Sequence, residues 1–237
     1  MRAREYGRAT DEDCERSPGE YQRLLLAWSG ENLRSFPWRE PNYSAYAHLV
    51  TEMLLRKTRA QAVEPVVAEV LATYPSPTEL AGSAEDDLVQ ALQSLGLQRI
   101  RSVALRQVSQ ILVAQYEGHV PREVDKLKRL PHVGRYIANA VACFAFGEAR
   151  PIVDANVVRV LGRCFGLSVP QEVHKAEEFW ALAAWLLPAT EVRRFNWALL
   201  DLGALVCTPR IPDCSRCPWS DLCRAHEKST CGCQQNS

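Results

Sequence analysis

Four cysteines crowd into seventeen positions near the C-terminus, in the order Cys207-x6-Cys214-x2-Cys217-x5-Cys223. A loop this short can turn all four thiolates inward around one inorganic centre. Zinc accepts four cysteines, but its common pattern is two separated CxxC pairs, and only Cys214 and Cys217 form such a pair here. The single tight pair suits a compact loop around a four-iron cluster, and spacing by itself leaves zinc open beside it. The other cysteines read differently. Cys143 and Cys164 lie in apolar, helix-like surroundings as packing residues, and Cys231-Gly232-Cys233 falls in a polar tail as a disordered segment rather than a ligand set.

Two carboxylates stand out by their neighbours. Asp154 follows the apolar triplet Pro151-Ile152-Val153 and precedes a helical pattern, which suits a helix N-cap. Glu52 is flanked by Leu49, Val50, Met53 and Leu54, so it should be partly buried, where a carboxylate needs a partner or a raised pKa. A third segment, Leu130-Pro131-His132-Val133-Gly134-Arg135, precedes a helix from Tyr136 to Phe146. A tight turn at a helix start can aim backbone N–H groups at a phosphate without reading sequence, although a plain helical core can show the same pattern.

These groups must be held by helices. Val63, Val66, Val67, Val70 and Leu71 form one apolar stripe at helical spacing. Leu88, Val89, Leu92 and Leu95 form a second, with Ser83-Ala84-Glu85-Asp86 as its predicted start. Ile100, Val103, Val108, Ile111 and Leu112 suggest a third, and Phe179, Leu182, Ala183 and Leu186 a fourth that ends at Pro188. Pro75, Pro77, Pro121 and Pro131 mark breaks. No alternating strand pattern and no internal repeat is evident, so the predicted fold class is all-α.

Bulk properties narrow the setting. The 237 residues are 47% hydrophobic and 24% charged, ordinary for a soluble globular chain able to bury one large core or two modest ones. No apolar run approaches the ~20 residues of a membrane span, and the charged start lacks a secretion signal's apolar stretch. The chain therefore reads as intracellular, in cytoplasm or nucleoid. An odd total of nine cysteines in a reducing compartment argues for metal or redox chemistry over disulfides. The 28 basic and 28 acidic residues cancel, which is mild evidence against nucleic-acid binding. Local clusters count for more than the total: Arg56-Lys57-Thr58-Arg59, Gln98-Arg99-Ile100-Arg101 and Lys126-Leu127-Lys128-Arg129 are each basic. The acidic segment 1–18 reads as disordered.

Taken together and in this order, Phe36-Pro37-Trp38-Arg39 with Thr51 to Thr58, the Leu130–Gly134 hairpin, Val153-Asp154-Ala155-Asn156 and the cysteine loop resemble the helix-hairpin-helix DNA glycosylases that carry an iron–sulfur cluster. The likeness runs from about Phe36 to Cys223. It implies a [4Fe-4S] cluster on Cys207, Cys214, Cys217 and Cys223, and a catalytic aspartate at Asp154. One departure concerns the hairpin, where the family usually has glycine and this chain has His132. Histidine tolerates the left-handed conformation better than most residues.

Within that superfamily, endonuclease III-like enzymes place a nucleophilic lysine two residues after the hairpin's last glycine, and Tyr136 stands there instead. Adenine glycosylases share the Glu52 position but usually carry a further C-terminal domain, for which this chain leaves no room. The thymine–guanine mismatch glycosylases share the tyrosine, the glutamate, a segment like Leu54-Leu55-Arg56-Lys57-Thr58 and the Val153–Asn156 run, and are the nearest match. That resemblance implies a monofunctional enzyme in base excision repair, a monomer acting on mismatched double-stranded DNA. It implies two helical lobes with a cleft between them: residues 45–152 as a barrel lobe carrying the hairpin, and 19–44 with 153–237 as the cluster lobe. Glu52 and Tyr136 would line the base pocket. Lys57, with Leu97 or Gln98, would fill the gap left by the flipped nucleotide. Arg56, Arg99, Leu130, His132, Val133, Gly134 and Arg135 complete the expected DNA contacts, and Arg210, Arg216 and Arg224 would let the cluster loop reach phosphate.

Overall fold

In the computed structural model, the structure describes residues 17–170 and 176–231. The described residues form α-helices and short 3-10 turns, and no strand occurs among them. No described helix is long and apolar enough to cross a membrane. The chain divides into two compact units. One holds the described residues up to Arg34 and those from Ala149 onward, and the other holds Ser35–Glu148.

The middle unit contains α2 (Ala45–Leu55), α3 (Ala60–Thr73), α4 (Pro77–Ala81), α5 (Glu85–Ala91), α6 (Gln98–Tyr116), α7 (Val124–Leu127) and α8 (Arg135–Phe144). Ser44 starts α2 by accepting from Ala47 N at 3.1 Å, satisfying one of the amide donors a helix start leaves over. The core is aliphatic. Leu54, Leu80, Leu88, Leu92, Leu112 and Leu127 are fully buried, each contributing roughly 1.5–3 kcal/mol of transfer free energy. Ile137 through Phe144 of α8 are all buried, so this helix is enclosed on every side.

Three expectations change here. Ser83 does not cap α5. Its hydroxyl donates to Leu80 O at 2.8 Å at the end of α4, and Ala84 stands at the N-cap without a side-chain bond. The second stripe is not one helix, because α5 ends at Ala91 and Leu95 lies in a 3-10 turn, Gln93–Leu95. In α6 the predicted face is misplaced at its start: Ile100 is 63% exposed and Val103 38%, while Arg101 and Ser102 turn inward.

The other unit joins α1 (Pro18–Asn32) to α9 (Ala155–Phe165), α10 (Glu177–Leu186), α11 (Val192–Leu205) and α12 (Arg224–Cys231). Ser17 caps α1, accepting from Gly19 N at 3.2 Å, and Pro18 takes a first-turn position where its missing N–H costs nothing. Those two residues are therefore ordered, contrary to the expected 1–18 disorder, and the rest of that segment lies outside the described residues. Arg34 binds Asp201 of α11 through its backbone N at 2.8 Å and its Nε at 2.7 Å. Asp201 is wholly buried, and the Arg34 guanidinium compensates its charge at 2.7 Å. Tyr21 of α1 packs edge-on against Trp219 at 5.5 Å and accepts the indole N–H at its carbonyl at 3.0 Å. The start of the described chain is thereby pinned to the cysteine loop.

Candidate active site and cysteine cradle

Cys207, Cys214, Cys217 and Cys223 line a single cavity, together with Val160, Arg163, Cys164 and Trp219. Two short 3-10 turns, Cys214–Arg216 and Ser220–Leu222, fold the loop inward so that sulfurs far apart in sequence share one space. Among the described residues, no three His, Cys, Asp or Glu side chains stand close enough to hold a single metal ion. A mononuclear zinc site needs its sulfurs at about 2.3 Å from one atom, whereas a cluster spreads its ligands around a larger body. Four thiols lining one cavity are a donor set whose chemistry fits an inorganic centre.

The last turn of α9 faces these thiols. Arg163 Nη1 donates to Cys207 Sγ at 3.4 Å and to Thr208 O at 2.7 Å, and its Nη2 donates to Pro209 O at 2.9 Å. Cys164 is buried, as expected for a packing residue, but it also lines the cavity. Its hydrogen bond holds the Cys223 thiol down at about 6, while burial pushes the Cys217 thiol up to about 11. Of the loop arginines expected against phosphate, Arg210 is exposed, Arg216 lies 3.9 Å from Asp213, and Arg224 Nη1 donates to Phe165 O at 3.3 Å. Gly232 and Cys233 lie outside the described residues.

Asp154 sits at the opposite end of the same helix. It is the N-cap of α9: Oδ1 accepts from Val157 N at 2.8 Å, and Oδ2 accepts from Asn156 Nδ2 at 2.9 Å. One oxygen therefore caps the helix while the second is steered by Asn156. Burial raises its pKa above the usual range, against the opposing pull of Val157, Asn156 and the Arg159 charge. Asn156 is fixed in turn, since its Oδ1 accepts from Arg159 Nη2 at 2.8 Å. Arg159 also donates to Gly203 O at 2.6 Å and Cys207 O at 2.8 Å. A Cβ on Gly203 would lie 2.7 Å from Asn156 Cβ, so only glycine lets α11 approach this closely. Asn156 entered the sequence reading only as part of the run around Asp154 and without a role, and neither Arg159 nor Gly203 was given one.

In the middle unit, Glu52 is 3% exposed in the last turns of α2. Tyr43 shares its surroundings: its hydroxyl bonds Thr51 Oγ1 at 2.7 Å, its ring stands edge-on to His48 at 5.0 Å, and burial and the Glu52 charge raise its pKa. Tyr43 and His48 were missed and Thr51 was named without a role, because a carboxylate is costlier to bury than a hydroxyl or an imidazole and drew the attention to Glu52. Tyr136 is half-buried against the same core, in the first turn of α8.

The hairpin takes the shape its glycine-like position demands, with His132 at φ +64°. Its ring Nε2 meets Gln107 Oε1 of α6 at 3.1 Å, and its carbonyl accepts from Arg56 Nη1 at 3.3 Å. The Leu130 and Val133 side chains are buried, and Val133 N donates to Leu130 O at 3.2 Å. Closing the turn uses that amide, which leaves His132, Gly134 and Arg135 as the exposed residues of the motif. A Cβ on Gly134 would meet no atom of the chain, so glycine there keeps the surface clear for close approach. Arg56, Lys57, Leu97 and Arg99 are exposed and Gln98 is half-buried.

Residues 50–184 match the HhH-GPD superfamily of base excision DNA repair proteins. The chain is 35% identical over 205 residues to a thymine/uracil-DNA glycosylase of Methanothermobacter thermautotrophicus, covering 86% of this chain and 92% of that protein. It is 38% identical over 203 residues to an adenine DNA glycosylase of Mycolicibacterium smegmatis, covering 83% of this chain and 66% of that protein. Among solved structures, a thermostable thymine-DNA glycosylase superposes with a TM-score of 0.84 at 32% identity, over 93% of this chain and all of that one.

Proposed function

Because this chain belongs to the HhH-GPD superfamily of base excision DNA repair proteins, we propose that it is a monofunctional DNA glycosylase removing thymine or uracil opposite guanine in double-stranded DNA. The observation that carries the reading is the Asp154 carboxylate, held at both oxygens at the start of α9. Similarity to a thymine/uracil-DNA glycosylase along nearly the whole chain supports the choice of base.

Breaking an N-glycosidic bond builds positive charge on the sugar and negative charge on the departing base. The ionised Asp154 stabilises the oxocarbenium-like sugar or takes a proton from the attacking water, as carboxylates do in glycoside hydrolysis. Asn156 and Arg159 keep that oxygen aimed. Glu52 and Tyr136 line the base pocket and hydrogen-bond the edge of a pyrimidine. Flipping the nucleotide out costs roughly a few kcal/mol, less for a mismatched base. The exposed Gly134 and Arg135 bind phosphate without reading sequence. Cys207, Cys214, Cys217 and Cys223 would hold a [4Fe-4S] cluster. When bound, that cluster supplies iron–thiolate bonds that cross-link the loop.

A panel of duplexes tests the substrate. Single-turnover excision is expected to be faster for thymine and uracil opposite guanine than for adenine opposite 8-oxoguanine. The reverse order would favour the second reading, an adenine glycosylase, which the similarity to such an enzyme keeps in view.

Strand cleavage by a glycosylase needs an amine that attacks the sugar and forms an imine. A phenol at position 136 cannot do this, so borohydride is expected to trap no covalent complex with the wild type. Tyr136→Lys is expected to gain trapping. Efficient trapping by the wild type would assign lyase chemistry to another amine.

A further inference from the structure

Two exposed turns of the middle unit each carry a non-glycine residue in the left-handed region, Lys57 at φ +55° and Leu97 at φ +51°. That conformation costs an L-residue about 1–2 kcal/mol, so something must hold both turns in it. The side chain between them is Arg101, which the sequence placed in a surface basic cluster and the structure buries to 9% exposure. Its Nε donates to Gly96 O at 3.0 Å and its Nη1 to Leu54 O at 2.8 Å. Its Nη2 donates to Arg56 O at 3.1 Å and to Thr58 Oγ1 at 2.6 Å. The carbonyls that precede Lys57 and Leu97 are therefore gripped by one planar group. All four bonds go to carbonyls and a hydroxyl, none to a carboxylate. A buried guanidinium with that set of partners is poorly explained as charge compensation and well explained as a geometric rivet, since its fork fixes both distance and angle.

The rest of the neighbourhood points the same way. Arg56, whose carbonyl Arg101 holds, reaches with its own guanidinium to His132 O in the hairpin. The hairpin is tied back to α6 through the His132–Gln107 contact. Leu97 is 60% exposed although apolar, and Ile100 beside it is 63% exposed.

We propose that Arg101 is a positioning residue for base extrusion: it sets the spacing of Lys57 and Leu97 so that both enter the duplex together and fill the space of the flipped nucleotide. The inference rests on the glycosylase reading for its substrate, but not on the bond-breaking step. A lysine at position 101 keeps the charge and loses the fork, so one turn must be released. The carbonyl left behind is then under-satisfied, and its left-handed residue relaxes toward ordinary backbone.

The test uses Arg101→Lys with a mismatched duplex carrying 2-aminopurine beside the mismatch, read by stopped-flow fluorescence, alongside affinity for matched duplex. Extrusion is expected to slow roughly tenfold or more, as small misplacements of positioning groups do. Matched-duplex affinity and helical circular dichroism are expected to stay at wild-type values. Should Arg101→Lys fail to fold, Thr58→Val removes one of the four bonds and is expected to slow extrusion in the same selective way. In a Lys57→Ala/Leu97→Ala background, Arg101→Lys is expected to add little, because coupled groups are not additive. Extrusion within twofold of wild type in a folded variant overturns the proposal, as does parallel loss of extrusion and matched-duplex binding. Wild-type extrusion without excision would sink the glycosylase reading alone and leave the comparison of variants decisive.

Discussion

Asp154→Asn is expected to lower single-turnover excision at a thymine–guanine mismatch by at least ~10²-fold, the scale of losing one main electrostatic contribution to a transition state. Binding to the mismatched duplex should persist, because the amide can still accept from Val157 N and cap α9. The wild-type rate should fall on acidification at a pH above that of an ordinary carboxylate, since burial raises the Asp154 pKa and the ionised form does the work. The same shift has an opposite consequence for stability. Folding favours the protonated acid, so ionised Asp154 weakens the fold at pH values above its raised pKa, and a neutral amide avoids that cost. The variant should therefore lose the share of the wild type's pH-dependent melting that comes from Asp154, while giving up the bond from Asn156 Nδ2 because one amide oxygen cannot serve both donors. A variant with near-normal rate would reduce Asp154 to a helix cap.

Replacing Cys217 by Ser is expected to strip the chain of most of its iron, from about four atoms per chain, and to lower the melting temperature by roughly 10 °C, since losing a structural metal centre costs several kcal/mol and each kcal/mol is worth about 2–4 °C at this size. The reason lies in the neighbours. Trp219 follows two residues after Cys217, is almost wholly buried, and anchors Tyr21 of α1, so an unlinked loop releases the start of the unit as well as its end. Chelation of iron from the wild type should produce the same loss of stability. Iron and zinc analysis on purified protein distinguishes the two centres directly. Full iron in both Cys217→Ser and Cys223→Ser would remove the cluster assignment.

What the amino-acid order determined is local. Apolar spacing of three and four residues specifies helices at α3 and α10, because helix formation depends on neighbours within one or two turns. Asp154 could be read as a cap for the same reason, since the cap, the first turn and the apolar stripe adjoin in the chain. His132 could be read as left-handed only because the resembled family has glycine at that position, and histidine tolerates that conformation better than most residues. The four loop cysteines were legible from spacing, as a short loop limits where their sulfurs can go. Tertiary structure decided what contacts at long separation decide. Arg101 looked like surface charge until Leu54 and Arg56, more than forty positions away, supplied the carbonyls that bury it. Ile100 and Val103 lost the inner face of α6 to it, because a helix turned to satisfy a buried guanidinium cannot also bury residues on the other side. The grip of Arg159 on Cys207 O and Gly203 O likewise joins segments more than forty positions apart. Hydrogen-bond partners of buried polar groups are set by how helices pack, and periodicity carries no record of that, which is why the chemistry was visible in the sequence and its positioning was not.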